Sequence, residues 1–134
     1  MKNNIVESVL QLQDLSFERL EFKRQGPKND NNIEYRLSVQ IGSDNDTGIY
    51  KTILSLKANK KDEYEIEISI QGVFSFSSSS EEISESLKKD LIQKNSVAIM
   101  MPYVRSQLTL LSSQPGVDPI VMPPLNINAM LDGK

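Results

Sequence analysis

The 134-residue sequence contains no histidine and no cysteine. Without them, zinc sites built on imidazole or thiolate, cysteine nucleophiles, disulfide frameworks, Ser-His-Asp triads and imidazole general bases are excluded, and any metal would depend on carboxylates alone. Surplus positive charge is also missing: 15 Lys and Arg stand against 18 Asp and Glu, a formal net charge of −3. Nucleic-acid binding, which draws much of its affinity from cations on phosphates, is therefore not expected. Long apolar runs are absent. The opening Met1-Lys2-Asn3-Asn4-Ile5-Val6-Glu7 is interrupted by Glu7, and the longest later stretch, Val97 to Val104, contains Pro102. A bilayer-spanning helix needs roughly 18 or more apolar residues, so neither membrane insertion nor a cleaved leader is expected, and the chain reads as cytoplasmic. At this length one domain, residues 1–134, is expected around one core.

What is present is a succession of strand patterns. Ile33, Tyr35, Leu37, Val39 and Ile41 alternate with Glu34, Arg36, Ser38 and Gln40, the period of two of a half-buried strand. The turn residues from Gly42 to Gly48 then reverse the chain, and Tyr50, Leu54, Leu56 and Ala58 share a face of the second arm of a hairpin. Beyond Asn59-Lys60-Lys61-Asp62, the residues Tyr64, Ile66, Ile68, Ile70, Phe74 and Phe76 line one face of the longest strand. Upstream, Leu15 and Phe17 hold odd positions but Leu20 and Phe22 even ones, so the inward face changes parity near Glu18-Arg19, as a β-bulge causes. Gln25 to Asn32 has no periodicity and is long enough to cross over the sheet.

After Phe76 the period becomes helical. Ser79 and Glu82 have the spacing of a capping box, and Ile83, Leu87 and Leu91 recur every fourth residue. Past Asn95-Ser96, a second helical stretch puts Val97, Met100, Met101, Val104, Leu108 and Leu111 on one stripe, with Pro102 either kinking it or occupying its first turn. Gln114-Pro115-Gly116 ends this helix, Val117 to Leu125 is extended by its prolines, and Asn126 or Asn128 is placed to cap a last short helix ending at Leu131. The expected fold is α+β: a four-stranded antiparallel sheet followed by a long kinked or broken helix and a short C-terminal helix.

Few motifs carry chemistry. Asp44-Asn45-Asp46-Thr47-Gly48 has the alternating carboxylates of a calcium loop, but its glycine comes one position early and Ser55 stands where a bidentate Glu belongs, so it reads as a turn. The glycines form no phosphate-cradling loop. Tyr103 and Arg105 read as packing and a local ion pair. Glu63, Glu65 and Glu67, with Asp14 and Glu18, give the strands acidic polar faces that either serve solvation or dock a basic partner. The Met and Leu stripe of the helix reads first as core, and is broader than one sheet face is expected to cover. Ile120, Val121, Met122, Leu125, Ile127, Met130 and Leu131, in a segment broken by prolines, leave open an adaptable apolar surface for peptide. An enzymatic α+β domain lacks a titratable cluster to work with, while a module for one defined partner remains an alternative.

Three stretches in order, Gly72-Val73-Phe74-Ser75-Phe76, Met101-Pro102-Tyr103-Val104-Arg105, and Pro123-Pro124-Leu125-Asn126-Ile127-Asn128-Ala129-Met130-Leu131, resemble the signatures of the SecB protein-export chaperone family. Asp14-Leu15-Ser16-Phe17-Glu18 is similar to the family's first-strand motif. The resemblance implies an ATP-independent holdase, not an enzyme and without cofactor or metal, that binds unfolded precursor polypeptides, delivers them to the SecA translocase ATPase, and assembles as a homotetramer, a dimer of dimers. It implies SecA contacts at Asp14, Glu18 and Glu67. It also implies a client groove made by the Gln25–Asn32 crossover, by Ile33, Tyr35 and Leu37, and by Ile120, Met122, Leu125, Met130 and Leu131. The chain departs from the family in having only Asp132-Gly133-Lys134 after Leu131, so a shortened terminal helix is expected, and in a crossover without aromatics. A branch of the family protects antitoxins in toxin–antitoxin systems. Retention of Asp14, Glu18 and Glu67 favours export.

Overall fold

The structure is a computed structural model that describes residues 10–44, 46–76 and 84–122. Four strands, β1 (Leu10–Arg24), β2 (Ile33–Asp44), β3 (Ile49–Lys60) and β4 (Tyr64–Phe76), form an antiparallel sheet in the order β1-β4-β3-β2. The last three strands are consecutive hairpins. Because β1 and β2 lie at opposite edges, residues 25–32 cross the end of the sheet, as the missing periodicity there suggested. The chain then continues as α1 (Glu85–Leu91), a π-helical turn (Ile92–Ser96) and α2 (Val97–Ser112). The expected sheet and joined, broken helix are both found. The expected C-terminal helix and the Ser79/Glu82 capping box lie outside the described residues. Ser84 caps α1 in the described chain, its hydroxyl accepting from the backbone N–H of Leu87.

Residues facing each other in antiparallel register share a face of the sheet, so the pairings sort the side chains without ambiguity. Phe22, Leu20, Phe17, Leu15, Leu12 and Leu10 of β1 stand opposite Ile66, Ile68, Ile70, Gly72, Phe74 and Phe76 of β4. This face can remain apolar along β1 only because the register slips twice, between Leu12 and Asp14 and between Phe17 and Arg19. The second slip leaves Glu18 as the extra residue expected from parity; the first leaves Gln13, where Leu10 and Leu12 at even positions give way to Leu15 and Phe17 at odd ones. Each bulge adds one residue and so restores the apolar side chains to the inner face.

The helical layer covers this inner face, with α2 over β4 and touching β1 and β3. Val97, Met100, Met101, Val104 and Leu108 are buried against Leu54, Leu56, Ile66, Ile68, Ile70 and Phe74 in one core. A single sheet face therefore does cover the central part of the Met and Leu stripe, contrary to the expectation of excess. Gly72 makes the approach possible, since a Cβ there would run into the Phe74 ring and Met100 Sδ. Pro102 sits inside α2, past its first turn. The π-turn is fastened to the sheet by two buried hydroxyls: Thr52 Oγ1 donates to Ser96 Oγ at 3.0 Å, and Ser96 Oγ donates back to the Ile92 carbonyl.

Candidate functional site

Three segments far apart in sequence meet at the end of the sheet where β1 finishes. The crossover is bound to the β3–β4 turn through Glu63, whose carbonyl accepts the backbone N–H of Gln25 at 2.7 Å and of Gly26 at 3.2 Å. Its carboxylate accepts from the backbone N–H of Asn29 and from Lys60 Nζ, both at 2.9 Å. Asn29 and Asn31 each donate a side-chain amide hydrogen to the Lys61 carbonyl. The crossover has to be glycine at residue 26, because a Cβ would collide with the Asp62 carbonyl oxygen. Sequence spacing groups Glu63 with the acidic strand face, but it is fully buried. It precedes β4, in the turn, so the strand alternation that exposes Glu65 and Glu67 does not apply to it. Burial by itself would raise its pKa, but the Asn29 N–H and the Lys60 ammonium outweigh burial and hold the carboxyl below its ordinary value. The same charge, added to burial, pushes the Tyr64 phenol up to about 12.

The third segment, residues 117–122, runs back along α2 and is pinned by side chains one helical turn or so apart. Ser112 Oγ accepts from the Ile120 N–H at 2.7 Å, Thr109 Oγ1 donates to the Ile120 carbonyl at 2.7 Å, and Arg105 donates twice to the Met122 carbonyl, at 3.2 and 3.0 Å. Arg105, expected in a local ion pair, therefore serves backbone recognition. Lys28 of the crossover and Asp118 of this segment close the junction with an ion pair at 2.8 Å.

The expected groove residues separate on this scaffold. Ile33, Tyr35 and Leu37 lie on the inner face of edge strand β2, as their pairing with Lys60, Ala58 and Leu56 requires. Leu37, Ile120 and Met122 are buried in the central core, only 3, 6 and 5% exposed. Tyr35 and Ile41 on the same face of β2 remain 40 and 39% exposed, and Ile33 is half-buried. The sequence pattern places Ile41 on this strand face but gives it no site role. Leu125, Met130 and Leu131 lie outside the described residues.

The expected docking residues lie on the other, outer face. Asp14 pairs with Val73 there and is exposed, and Glu18 is the exposed extra residue of the second bulge, four residues farther along β1. Glu67 is different. Its carboxylate accepts from Arg19 at 3.0 Å and meets Lys57 Nζ at 3.5 Å, with a side chain only 26% exposed. The Arg19 hydrogen bond is the largest cause holding its carboxyl below the usual range, with partial burial opposing and Lys57 assisting. The face is thus not uniformly acidic. Among the described residues no three carboxylates converge as a metal site, and no described helix is long and apolar enough to cross a membrane.

Comparison with known proteins gives three results. The family described as preprotein translocase subunit SecB matches residues 3–134. An uncharacterised protein of Methanocaldococcus jannaschii is 27% identical over 117 residues, which span 78% of this chain and 70% of that protein. A Mycobacterium tuberculosis SecB-like chaperone, solved in complex with an antitoxin peptide, superposes with a TM-score of 0.70 at 16% identity, covering 90% of this chain and 93% of that one. At that identity the last likeness is one of fold.

Proposed function

We propose, from the premise that this chain belongs to the SecB family, that it is an ATP-independent holdase for unfolded polypeptides. The observation that carries this reading is the inner face of β2. There an apolar strip continues past the helical layer, with Tyr35 and Ile41 left 40 and 39% exposed on a strand that only β3 pairs among the described strands. An extended client segment has two things to hold at such an edge: backbone hydrogen-bonding groups, indifferent to sequence, and apolar contacts at alternate residues. Each client side chain that is well buried contributes about 1.5–3 kcal/mol, so a single segment binds weakly and several sites acting on one long chain bind tightly. Ile33 and the tail residues Leu125, Met130 and Leu131 extend this groove in the reading, while Leu37, Ile120 and Met122 form its floor.

The export form of the reading adds a cytoplasmic setting and delivery to SecA through Asp14, Glu18 and Glu67. The observation that Glu67 already holds two cations favours a second form, in which the client is an antitoxin, as for the mycobacterial fold relative. The groove is common to both. It is tested by replacing Tyr35 and Ile41 together with serine and following aggregation of a chemically unfolded client. Loss of protection with unchanged circular dichroism is expected. Protection equal to the parent's would place client binding elsewhere. Leu37 and Met122 are unsuited to this test, because polar groups there would disrupt the core itself.

A further inference from the structure

At the tip of the β2–β3 hairpin, the inner face of the sheet ends in a cavity of about 850 Å³. Ile41 is at its edge, six residues beyond Tyr35 and so about 20 Å farther along an extended strand. Ser43 and Tyr50, facing each other in register, continue the same face into the cavity. The opposite wall is Ile92 of the π-turn with Lys88 and Lys89 of α1. This wall is preformed, because the Thr52–Ser96 hydrogen bond ties the π-turn to the sheet. Its charge has one sign. Lys88 Nζ lies 5.6 Å from the centre of the Phe76 ring, a contact that steadies the side chain and leaves its charge in place. Lys89 is exposed and has no ion pair among the described residues. Among the described residues no carboxylate lines the cavity: Asp90 pairs with Lys94 at 3.5 Å, and Asp44, on the outer face opposite Ile49, accepts the backbone N–H of Asp46 in the turn.

We infer that this cavity selects clients by charge: it takes an extended polypeptide segment in which carboxylate side chains follow apolar ones, the apolar residues lying along Tyr35 to Ile41 and the carboxylates meeting Lys89 and Lys88. The inference rests on the holdase reading and narrows its substrate class. The exposed apolar strip leads directly into the cationic wall, so one extended chain reaches both. A segment ending in basic residues would make the same apolar contacts and meet repulsion instead of attraction. A fatty acid carries the same anionic group and an apolar body, but it lacks the amides that the edge of β2, unpaired among the described strands, can hold.

Fluorescence anisotropy of the whole protein with three labelled peptides tests the inference: the same alternating leucine–serine segment ending in two glutamates, two glutamines or two lysines. At low salt the glutamate peptide should bind about tenfold tighter than the lysine peptide, with the glutamine peptide between them, and the differences should shrink at physiological ionic strength as the pairs are screened. Lys89→Glu should reduce the preference for glutamate by about threefold or more, and Lys89→Glu with Lys88→Gln should remove or reverse it, while binding of the glutamine peptide and aggregation protection stay at the parent level. Equal binding of the three peptides, no binding of any, a preference unchanged in both variants, or retention of dodecanoate in place of the glutamate peptide would each overturn the inference. The holdase reading fails separately, on absence of aggregation protection by the parent protein.

Discussion

A carboxylate sealed from solvent is stable only with partners, and Glu63 finds them in Lys60 and the Asn29 N–H, while its Oε2 has no hydrogen-bond partner among the described residues. Glu63→Ala isolates the side chain, since the backbone bonds from Gln25 and Gly26 to its carbonyl persist. It leaves Lys60, 11% exposed, without its anion. A destabilisation of about 3 kcal/mol is expected, the low end for breaking a buried pair because the ammonium can still reach water. Urea unfolding measures it, and Glu63→Gln, which still accepts from Asn29, should lose less. The folded pKa of Glu63 is depressed, so its contribution is complete above the ordinary value of 4.5 and vanishes as pH falls through the lower folded value. The parent should therefore lose stability in that acid range more steeply than Glu63→Gln. Parallel pH curves would show the carboxylate is not linked to folding.

At the scale of elements, β1 and the 117–122 segment illustrate two ways of being held. The Glu18 bulge absorbs one extra residue, so that Phe17, Leu20 and Phe22 all stay on the inner face. Deleting Glu18 leaves Phe17, Arg19 and Leu20 in regular alternation with the same β4 partners, so the deletion variant should still fold, and Glu18→Ala, at an exposed position, should change stability by less than about 0.5 kcal/mol. Thermal unfolding of the pair decides; loss of the folded state on deletion would mean that the bulge itself is required. Residues 117–122 are held instead by polar side chains of α2. Arg105→Met removes a charged donor worth about 1.5–3 kcal/mol, so amide exchange across Ile120–Met122 should accelerate by roughly tenfold to a hundredfold. The strands, their turns and the Glu18 bulge were all legible, because a period of two and its interruption are local. The role of Arg105 was not, because it depends on a carbonyl 17 residues away, whereas the Gln13 bulge carries the same kind of local mark, Leu10 and Leu12 at even positions before Leu15 and Phe17 at odd ones.

For the whole molecule, the edge strands bear on whether copies associate. Leu12 and Leu20 on β1 remain 38 and 44% exposed, and Tyr103 and Leu110 of α2 47 and 59%. Exposed apolar side chains beside an edge that is unpaired among the described strands favour burial against another copy, so we expect an oligomer, with a dimer of dimers as its proposed form. Light scattering at micromolar concentration should report a mass well above the 15.1 kDa chain, reduced by Leu20→Asp. A monomer would remove the avidity on which tight holding of long clients depends. The export form makes a separate prediction. Asp14→Lys with Glu67→Lys should weaken low-salt binding of a basic SecA tail by several exposed pairs, each on the order of 0–1 kcal/mol. Unchanged affinity would favour the antitoxin form.

The sequence by itself determined the order of strands and helices, the parity change in β1, the crossover and, through its ordered motifs, the family. Each of these is a property of spacing along one segment, where backbone geometry translates position directly into direction. The tertiary structure alone decided which polar residues are acidic surface and which are not. Glu63, Glu65 and Glu67 look equivalent in sequence, yet one is sealed beneath the crossover and another is gripped by Arg19 and Lys57. It decided likewise that Leu37, Ile120 and Met122 are core while Tyr35 and Ile41 are surface. The reason is physical: burial and charge pairing depend on what the fold brings from distant strands, and a residue's own neighbours in sequence do not carry that information.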